Sequence, residues 1–239
     1  MTFTALASSS HGNAYLVSDG QTVILLECGI THKRLQQGTG YHLSEVAACL
    51  MSHEHKDHSA AAKQILKDGI PLYTSEGTAE ALGLNEAEII CDREQITVGT
   101  IDILPFTVYH DAREPLGFLL RSRIDGESLA FATDTCNLAY RFPGLTKLAV
   151  EANYQEGILA RCERMPEKVK KRITMSHMEI DKLCSYLRTL DLNALREIYL
   201  LHLGDATSHE GQFINRVRRA VDADRRGIRV VACPREAKL

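Results

Sequence analysis

No stretch of this 239-residue chain approaches the roughly 18 apolar residues that a membrane-spanning helix needs; the most apolar run, Thr22–Leu26, is strand-sized. The first twelve residues, MTFTALASSSHG, lack a basic start leading into a long apolar segment, so no secretory signal is expected. There is no excess of one charge: 28 basic against 31 acidic side chains give a formal net charge of −3, too even to announce a nucleic-acid binder by itself. No CxxC pair occurs among the 7 cysteines, and an odd number without such pairing reads as free thiols in a reducing compartment; a cytoplasmic protein is expected. Neither an internal repeat nor a Pro/Gly/Ser-rich linker appears, so residues 1–239 read as one domain. A hydrophobic fraction of 44% with 25% charged residues excludes a disordered or fibrous chain.

What is present is a sequence of short strands and helices. Phe3–Ala7, Ala14–Ser18 and Thr22–Glu27 read as successive strands, with Asp19-Gly20 at a hairpin turn where positive φ is wanted. Val46–Ser52 is an apolar run leading into a histidine-rich loop. Helical composition follows over Ser59–Lys67 and Glu76–Leu82, with a strand at Pro71–Thr74 between them. Gln95–Val98, Ile101–Val108, Gly117–Ile124 and Glu127–Thr133 are β-rich, and Asp125-Gly126 is a second hairpin turn. Lys147–Ala152, Glu197–Leu203 and Ile228–Ala232 read as further strands. Gln155–Arg164, Met178–Leu190 and Glu210–Asp222 read as helices, the second with apolar residues at Ile180, Leu183, Cys184 and Leu187. Strands then helices, twice over, suggest an α+β arrangement of two packed sheets flanked by helices.

The residues that carry chemistry begin at His53-Glu54-His55-Lys56-Asp57-His58, directly after an apolar strand. Three imidazoles in a strand-end loop gain nothing in packing. Imidazole nitrogen and carboxylate oxygen are ligands that Zn²⁺ takes and that Mn²⁺ or Fe²⁺ share. His53 and His55 alternate and can point the same way, while Asp57 and His58 turn to a neighbouring position, so one short loop can serve two adjacent metals.

HEHKDH resembles the HxHxDH motif of the metallo-β-lactamase superfamily, and further pieces recur in that family's order: His110 after a strand, Asp134 in Phe131-Ala132-Thr133-Asp134-Thr135, and His202 in Leu200-Leu201-His202-Leu203. The resemblance implies a four-layer αββα sandwich and two divalent metal ions, Zn or Mn with Fe possible. On it, His53, His55 and His110 hold one ion, Asp57, His58 and His202 the other, and Asp134 bridges both. Two such metals about 3.5–4 Å apart lower the pKa of water between them and clamp the oxygens of a displaced ester, with Asp57 taking part in the catalytic centre. One departure stands out: Glu27-Cys28-Gly29 occupies the place of the family's usual DxG-type segment, and Glu27 is expected to orient the metal loop as the aspartate does.

Fold alone does not choose among β-lactams, thioesters, lactones and phosphodiesters. Where flavin-linked di-iron relatives carry Glu, this chain has His55, which disfavours an oxidoreductase. Leu148–Tyr154 with Ser176-His177-Met178 resembles pieces of tRNase Z and YycJ-type nucleases, and His110-Asp111-Ala112 with Pro115–Phe118 resembles the YycJ/VicX group. That resemblance gives His177 a role at the scissile phosphate or leaving oxygen, with Glu151 orienting it. Only 23 residues separate His110 from Asp134 and 67 separate Asp134 from His202, too few for the exosite arm of bacterial tRNase Z or the extra domain of the β-CASP nucleases.

Two basic runs, Arg161–Arg172 and Arg216–Arg229, each hold six basic and two acidic residues; either could neutralise phosphates, and acidic interruptions favour a solvated helix face. Neither is interleaved with aromatics, although Tyr109, Tyr140 and Tyr154 near the motifs could stack on a base. The expectation is a dinuclear metal-dependent phosphodiesterase, an exonuclease on DNA or RNA. Alternatives are a hydrolase of a cyclic phosphate, nucleotide diester, lactone or thioester, and a non-catalytic metal-bearing nucleotide-binding protein. A homodimer is compatible with the fold, but no surface stripe identifies its face.

Overall fold

The structure is a computed structural model and describes residues 1–236. Within them the chain divides into two compact units. The first comprises residues 1–107 and 112–127 with the closing segment; the second comprises 108–111 and 128–233.

The first unit opens with β1 (Thr2–Ser9), β2 (Gly12–Ser18) and β3 (Val23–Leu26), paired antiparallel in sequence order. The Asp19-Gly20 turn between β2 and β3 is where the sequence places it: Gly20 has φ 91°, and Asp19 Oδ1 accepts from the Gln21 and Thr22 N–H groups at 3.1 and 2.9 Å. Then come α1 (His32–Gly38), β4 (Ala48–Leu50), α2 (Lys56–Ser59), α3 (Ala62–Lys67), β5 (Leu72–Thr74), α4 (Glu76–Leu82) and β6 (Glu88–Ile89). β4, β5 and β6 continue the sheet in parallel, giving the order β1-β2-β3-β4-β5-β6. Caps fix the helix starts: the Thr31 hydroxyl accepts from Arg34 N–H for α1, and the Ser75 hydroxyl accepts from Thr78 N–H for α4. Leu6, Leu25, Leu35, Cys49, Met51 and Ile65 form a continuous buried cluster under α1 and α3. The meander β7 (Ile96–Val98), β8 (Ile101–Thr107) and β9 (Leu116–Ser122) completes the unit, antiparallel throughout.

The second unit carries β10 (Ser128–Ala132), β11 (Lys147–Glu151), α5 (Glu156–Arg161), α6 (Glu167–Ser176), α7 (Ile180–Leu187), β12 (Glu197–Leu201), α8 (Glu210–Ala220), α9 (Ala223–Arg226) and β13 (Arg229–Ala232). Its four strands pair in parallel in the order β13-β12-β11-β10. β10 and β11 are buried along their whole lengths, as strands covered on both faces must be. α7 buries Ile180, Leu183, Cys184 and Leu187, the apolar positions that mark it in the sequence. It is shorter than the expected Met178–Leu190, because the Glu179 carboxylate caps it by accepting from Asp181 and Lys182 N–H. α1, α6 and the one-turn α9 have no counterpart among the sequence expectations, and the one-turn α2 lies in the expected histidine loop. α1 buries only Leu35, and α6, starting after Pro166, buries only Ser176 and leaves its apolar Val169 and Met175 exposed. No helix of the described residues is long and apolar enough to cross a membrane.

Candidate metal centre

The His53–His58 loop, Asp134, Glu151 and His202 lie at the carboxyl ends of parallel strands, where side chains emerge from a rigid ladder into loops, whereas His110 follows the antiparallel β8 and His177 closes α6. In the first unit, β4 ends at Leu50 and the chain runs through Met51-Ser52 into the histidine loop, which ends in α2. His53 and His58 are buried at 1% and 0% exposure, with ring centroids 4.2 Å apart. His55 caps α2 by its backbone, and its Nδ1 lies 3.1 Å from His53 Nε2. The Ser52 hydroxyl pairs with His53 Nδ1 at 2.8 Å. Asp57 Oδ2 lies 3.4 Å from His58 Nε2.

The loop is docked by backbone as well as side chain. Glu27, Cys28 and Gly29 donate their N–H groups to the carbonyls of Leu50, His58 and Asn13, at 2.9, 2.9 and 2.8 Å. Glu27 is fully buried in the left-handed region, φ 62°, and faces His58 Nδ1 at 3.5 Å. Its Oε2 accepts the Ser52 N–H at 3.3 Å, while Oε1 has no hydrogen-bond partner among the described residues. Glu27 thus touches the residue it was expected to orient. Asn13, which no sequence motif singles out, faces the same loop: its Nδ2 lies 3.2 Å from the Asp57 carbonyl and 3.1 Å from His58 Nε2, and its Oδ1 accepts from Tyr15 Oη at 3.0 Å. A buried amide at the start of β2, next to Gly12, is the one mark it carries in the sequence.

In the second unit the parallel register sets Asp134, Glu151 and His202 at one end of β10, β11 and β12. His202 Nδ1 is 2.7 Å from Asp134 Oδ1 and 3.2 Å from Glu151 Oε1. His177 closes α6 and is not the helix-opening residue that a plain structural role would make it; its Nδ1 donates to Glu151 Oε1 at 2.6 Å. Glu151 Oε2 is fixed by the N–H groups of Thr135 and Met178, at 2.9 and 3.0 Å. Far from being a solvated strand-end carboxylate, Glu151 is fully buried. His110 Nδ1 donates to the Ser176 carbonyl at 2.9 Å, which leaves Nε2 3.7 Å from Asp134 Oδ2.

Electrostatics follow from this packing. Burial alone would raise the Glu151 carboxyl, but the His177 and His202 imidazoles beside it hold it below the ordinary value. Burial works against a charged His177, yet Glu151 and Asp134 raise it. The same opposition carries His202 up to about 10, chiefly through Asp134 against the desolvation. Asp134, Glu151, His177 and His202 offer ligand atoms all within 4.8 Å of one another. Of these, the Asp134 carboxylate and the His202 imidazole, 2.7 Å apart, fit a divalent cation in place of a shared proton, with the Glu151–His177 pair beside them.

A family model described as a beta-lactamase superfamily domain matches residues 22–203. Exodeoxyribonuclease YycJ of Bacillus anthracis is 28% identical over 218 residues, covering 84% of this chain and 81% of the relative. Exodeoxyribonuclease WalJ of Streptococcus pneumoniae is 29% identical over 221 residues, with the same coverage. Among solved structures, the metallo-β-lactamase fold protein YhfI from Bacillus subtilis superposes with a TM-score of 0.70 at 14% identity, over 98% of this chain and 97% of that one. The α+β metallo-β-lactamase fold expected from the sequence is therefore the fold of this chain.

Proposed function

The chain belongs to the β-lactamase superfamily, and from that premise we propose that it is a metal-dependent phosphodiesterase that removes nucleotides from the ends of DNA or RNA. The buried pair Asp134 and His202, 2.7 Å apart, carries this reading as the place for a metal, with Glu151 and His177 hydrogen-bonded at 2.6 Å beside it. The names of the YycJ and WalJ relatives supply the substrate class. We assign His53, His55, Asp57, His58, His110, Asp134 and His202 as ligands of two divalent ions, Zn or Mn. When bound, these ions supply Lewis acidity toward a phosphoryl oxygen and toward water.

The chain's own residues do the rest. Glu151, held by two backbone N–H groups, fixes His177 Nδ1 and leaves Nε2 to meet substrate. Against its burial, Glu151 and Asp134 favour the charged form of His177, which suits it to hand a proton to the departing oxygen. Glu27 and Asn13 hold the loop bearing Asp57 and His58. The free thiols Cys28, Cys49, Cys184 and Cys233 are buried and unpaired by disulfides, in keeping with a cytoplasmic setting.

The test is metal content together with hydrolysis of bis(p-nitrophenyl) phosphate. The purified protein is expected to hold close to two divalent ions, to hydrolyse the diester and to lose both on treatment with a chelator. Asp134→Ala is expected to fall at least about a hundredfold in rate, as removal of an electrostatic catalytic group does. Full activity in a chelated, metal-free sample would overturn the reading.

A further inference from the structure

Beside His110 and Ser176 lies an open cleft of about 550 Å³, lined by Tyr109, Asp111, Lys168, Lys171, Arg172 and Met175. Its volume is that of pockets that take small ligands, enough for a nucleotide residue. Four of these side chains stand at positions i, i+3, i+4 and i+7 of α6, so one face of that helix forms a wall. Three cations face one carboxylate there, in a chain whose net charge is −3. Asp111 is already tied to Arg172, whose Nε donates to its Oδ2 at 2.6 Å. Lys168 and Lys171 are exposed and have no carboxylate partner among the described residues. Tyr109 and Met175 expose 49% and 66% of their surface in the same cleft, which is costly for a ring and a thioether unless something covers them.

The second basic run lacks this character. Arg216 pairs with Asp181 at 2.5 Å, Arg225 with Asp222 at 2.7 Å, Arg229 with Glu197 at 3.2 Å, and Arg218 with Asp224. Four of its six arginines are thus ion-paired, whereas on α6 Lys170 pairs with Glu167 and Arg172 with Asp111 but Lys168 and Lys171 face the cleft beside a proposed metal ligand.

We propose that this cleft is the subsite for the nucleotides adjoining the scissile phosphate of a single strand, with Lys168 and Lys171 on successive phosphates and a base stacked on Tyr109 against Met175. The inference rests on the phosphodiesterase reading and names where the polymer lies. Backbone contact by lysines with stacking on an aromatic face is how single strands are bound without sequence preference.

The test measures binding separately from cleavage. A fluorescent single-stranded oligonucleotide with phosphorothioate linkages, as DNA and as RNA, is titrated with the metal-loaded protein and followed by anisotropy at several salt concentrations. Lys168→Glu/Lys171→Glu is expected to weaken binding at least about tenfold at low salt and to flatten log Kd against log salt by about 0.7 for each phosphate no longer neutralised. Arg219→Glu/Arg225→Glu, with the same change in net charge, is expected to bind as the unaltered protein does. Tyr109→Ala is expected to cost about tenfold and Tyr109→Phe nearly nothing, as stacking requires the ring and not the hydroxyl. Bound strand should also slow alkylation of Cys136, which lines the cleft, but not of the exposed Cys91.

Equal binding by the lysine double variant and the unaltered protein overturns the subsite, and so does failure of the unaltered protein to bind either strand. Cleavage of the corresponding phosphodiester oligonucleotide by that same protein would then leave the nuclease reading standing. Binding that disappears in the lysine variant, with no cleavage by the unaltered protein, would sink the nuclease reading and keep the subsite.

Discussion

Glu27 shows how much one methylene can matter. Its backbone is left-handed, φ 62°, a conformation that aspartate tolerates better than most side chains. Its carboxylate must still reach His58 Nδ1 and the Ser52 N–H, at 3.5 and 3.3 Å, and an aspartate would stop short of both. Glu27→Asp is therefore expected to keep its melting temperature while losing about ten- to hundredfold in metal affinity, measured by competition with a chromophoric chelator. Unchanged affinity would remove Glu27 from the positioning of the loop. Glu151 makes a second case at this scale. In the metal-free protein, NMR titration should find His177 above the ordinary imidazole value, and Glu151→Gln should bring it down, because the neutral amide no longer favours the charged ring. An unmoved titration in that variant would assign the shift to other groups.

Among elements, the metal loop depends on a close approach that only glycine permits. A Cβ on Gly29 would stand 1.6 Å from the Asp57 carbonyl oxygen and 2.7 Å from the His58 nitrogen, both backbone atoms that cannot yield without moving the Asp57 and His58 side chains. Gly29→Ala is expected to lower the melting temperature by about 5 °C or more and to weaken metal binding with it. The β2–β3 turn supports a different junction: Asp19 Oδ2 accepts from the hydroxyls of Thr100 and Ser122, at 2.6 and 3.1 Å, tying that turn to the β8–β9 meander. Although partial burial opposes it, these bonds hold the Asp19 carboxyl down to about 2, against 3.8 for the free group. A depressed carboxyl stabilises the fold above the unfolded value and loses that contribution as pH falls toward 2. Asp19→Asn should accordingly melt below the unaltered protein at pH 7, with the difference shrinking as the pH approaches 2. A gap constant across that range would contradict the assignment.

Legibility in the sequence also varies by element. The HEHKDH loop, the two Gly-containing turns and α7 announce themselves because local chemistry or hydrophobic period decides them. α6 does not: with Ser176 its one buried residue, it has no apolar period to read, and its basic residues gain meaning only beside the cleft. Glu151, visible only through the family resemblance, and Asn13 are indistinct for another reason. Their partners His177 and His58 lie 26 and 45 residues away, and such contacts exist only once strands have paired.

For the whole molecule, the family and the α+β fold are legible in the amino-acid sequence alone, because His and Asp motifs recurring in a family's fixed order are a constraint that chance seldom meets. The even net charge says little about a substrate, since charge is sorted locally: four of six arginines in one basic run are ion-paired, while Lys168 and Lys171 of the other are exposed beside a cleft. The central claim is metal-dependent cleavage of a nucleic-acid strand from its end. It is tested most directly by incubating the Mn²⁺-loaded protein with 5′-labelled single-stranded DNA and RNA, beside His55→Ala, and resolving the products by size. A ladder or mononucleotide product that the variant does not make is the result predicted. Intact strands from both proteins, under conditions where two metals are bound, would contradict it.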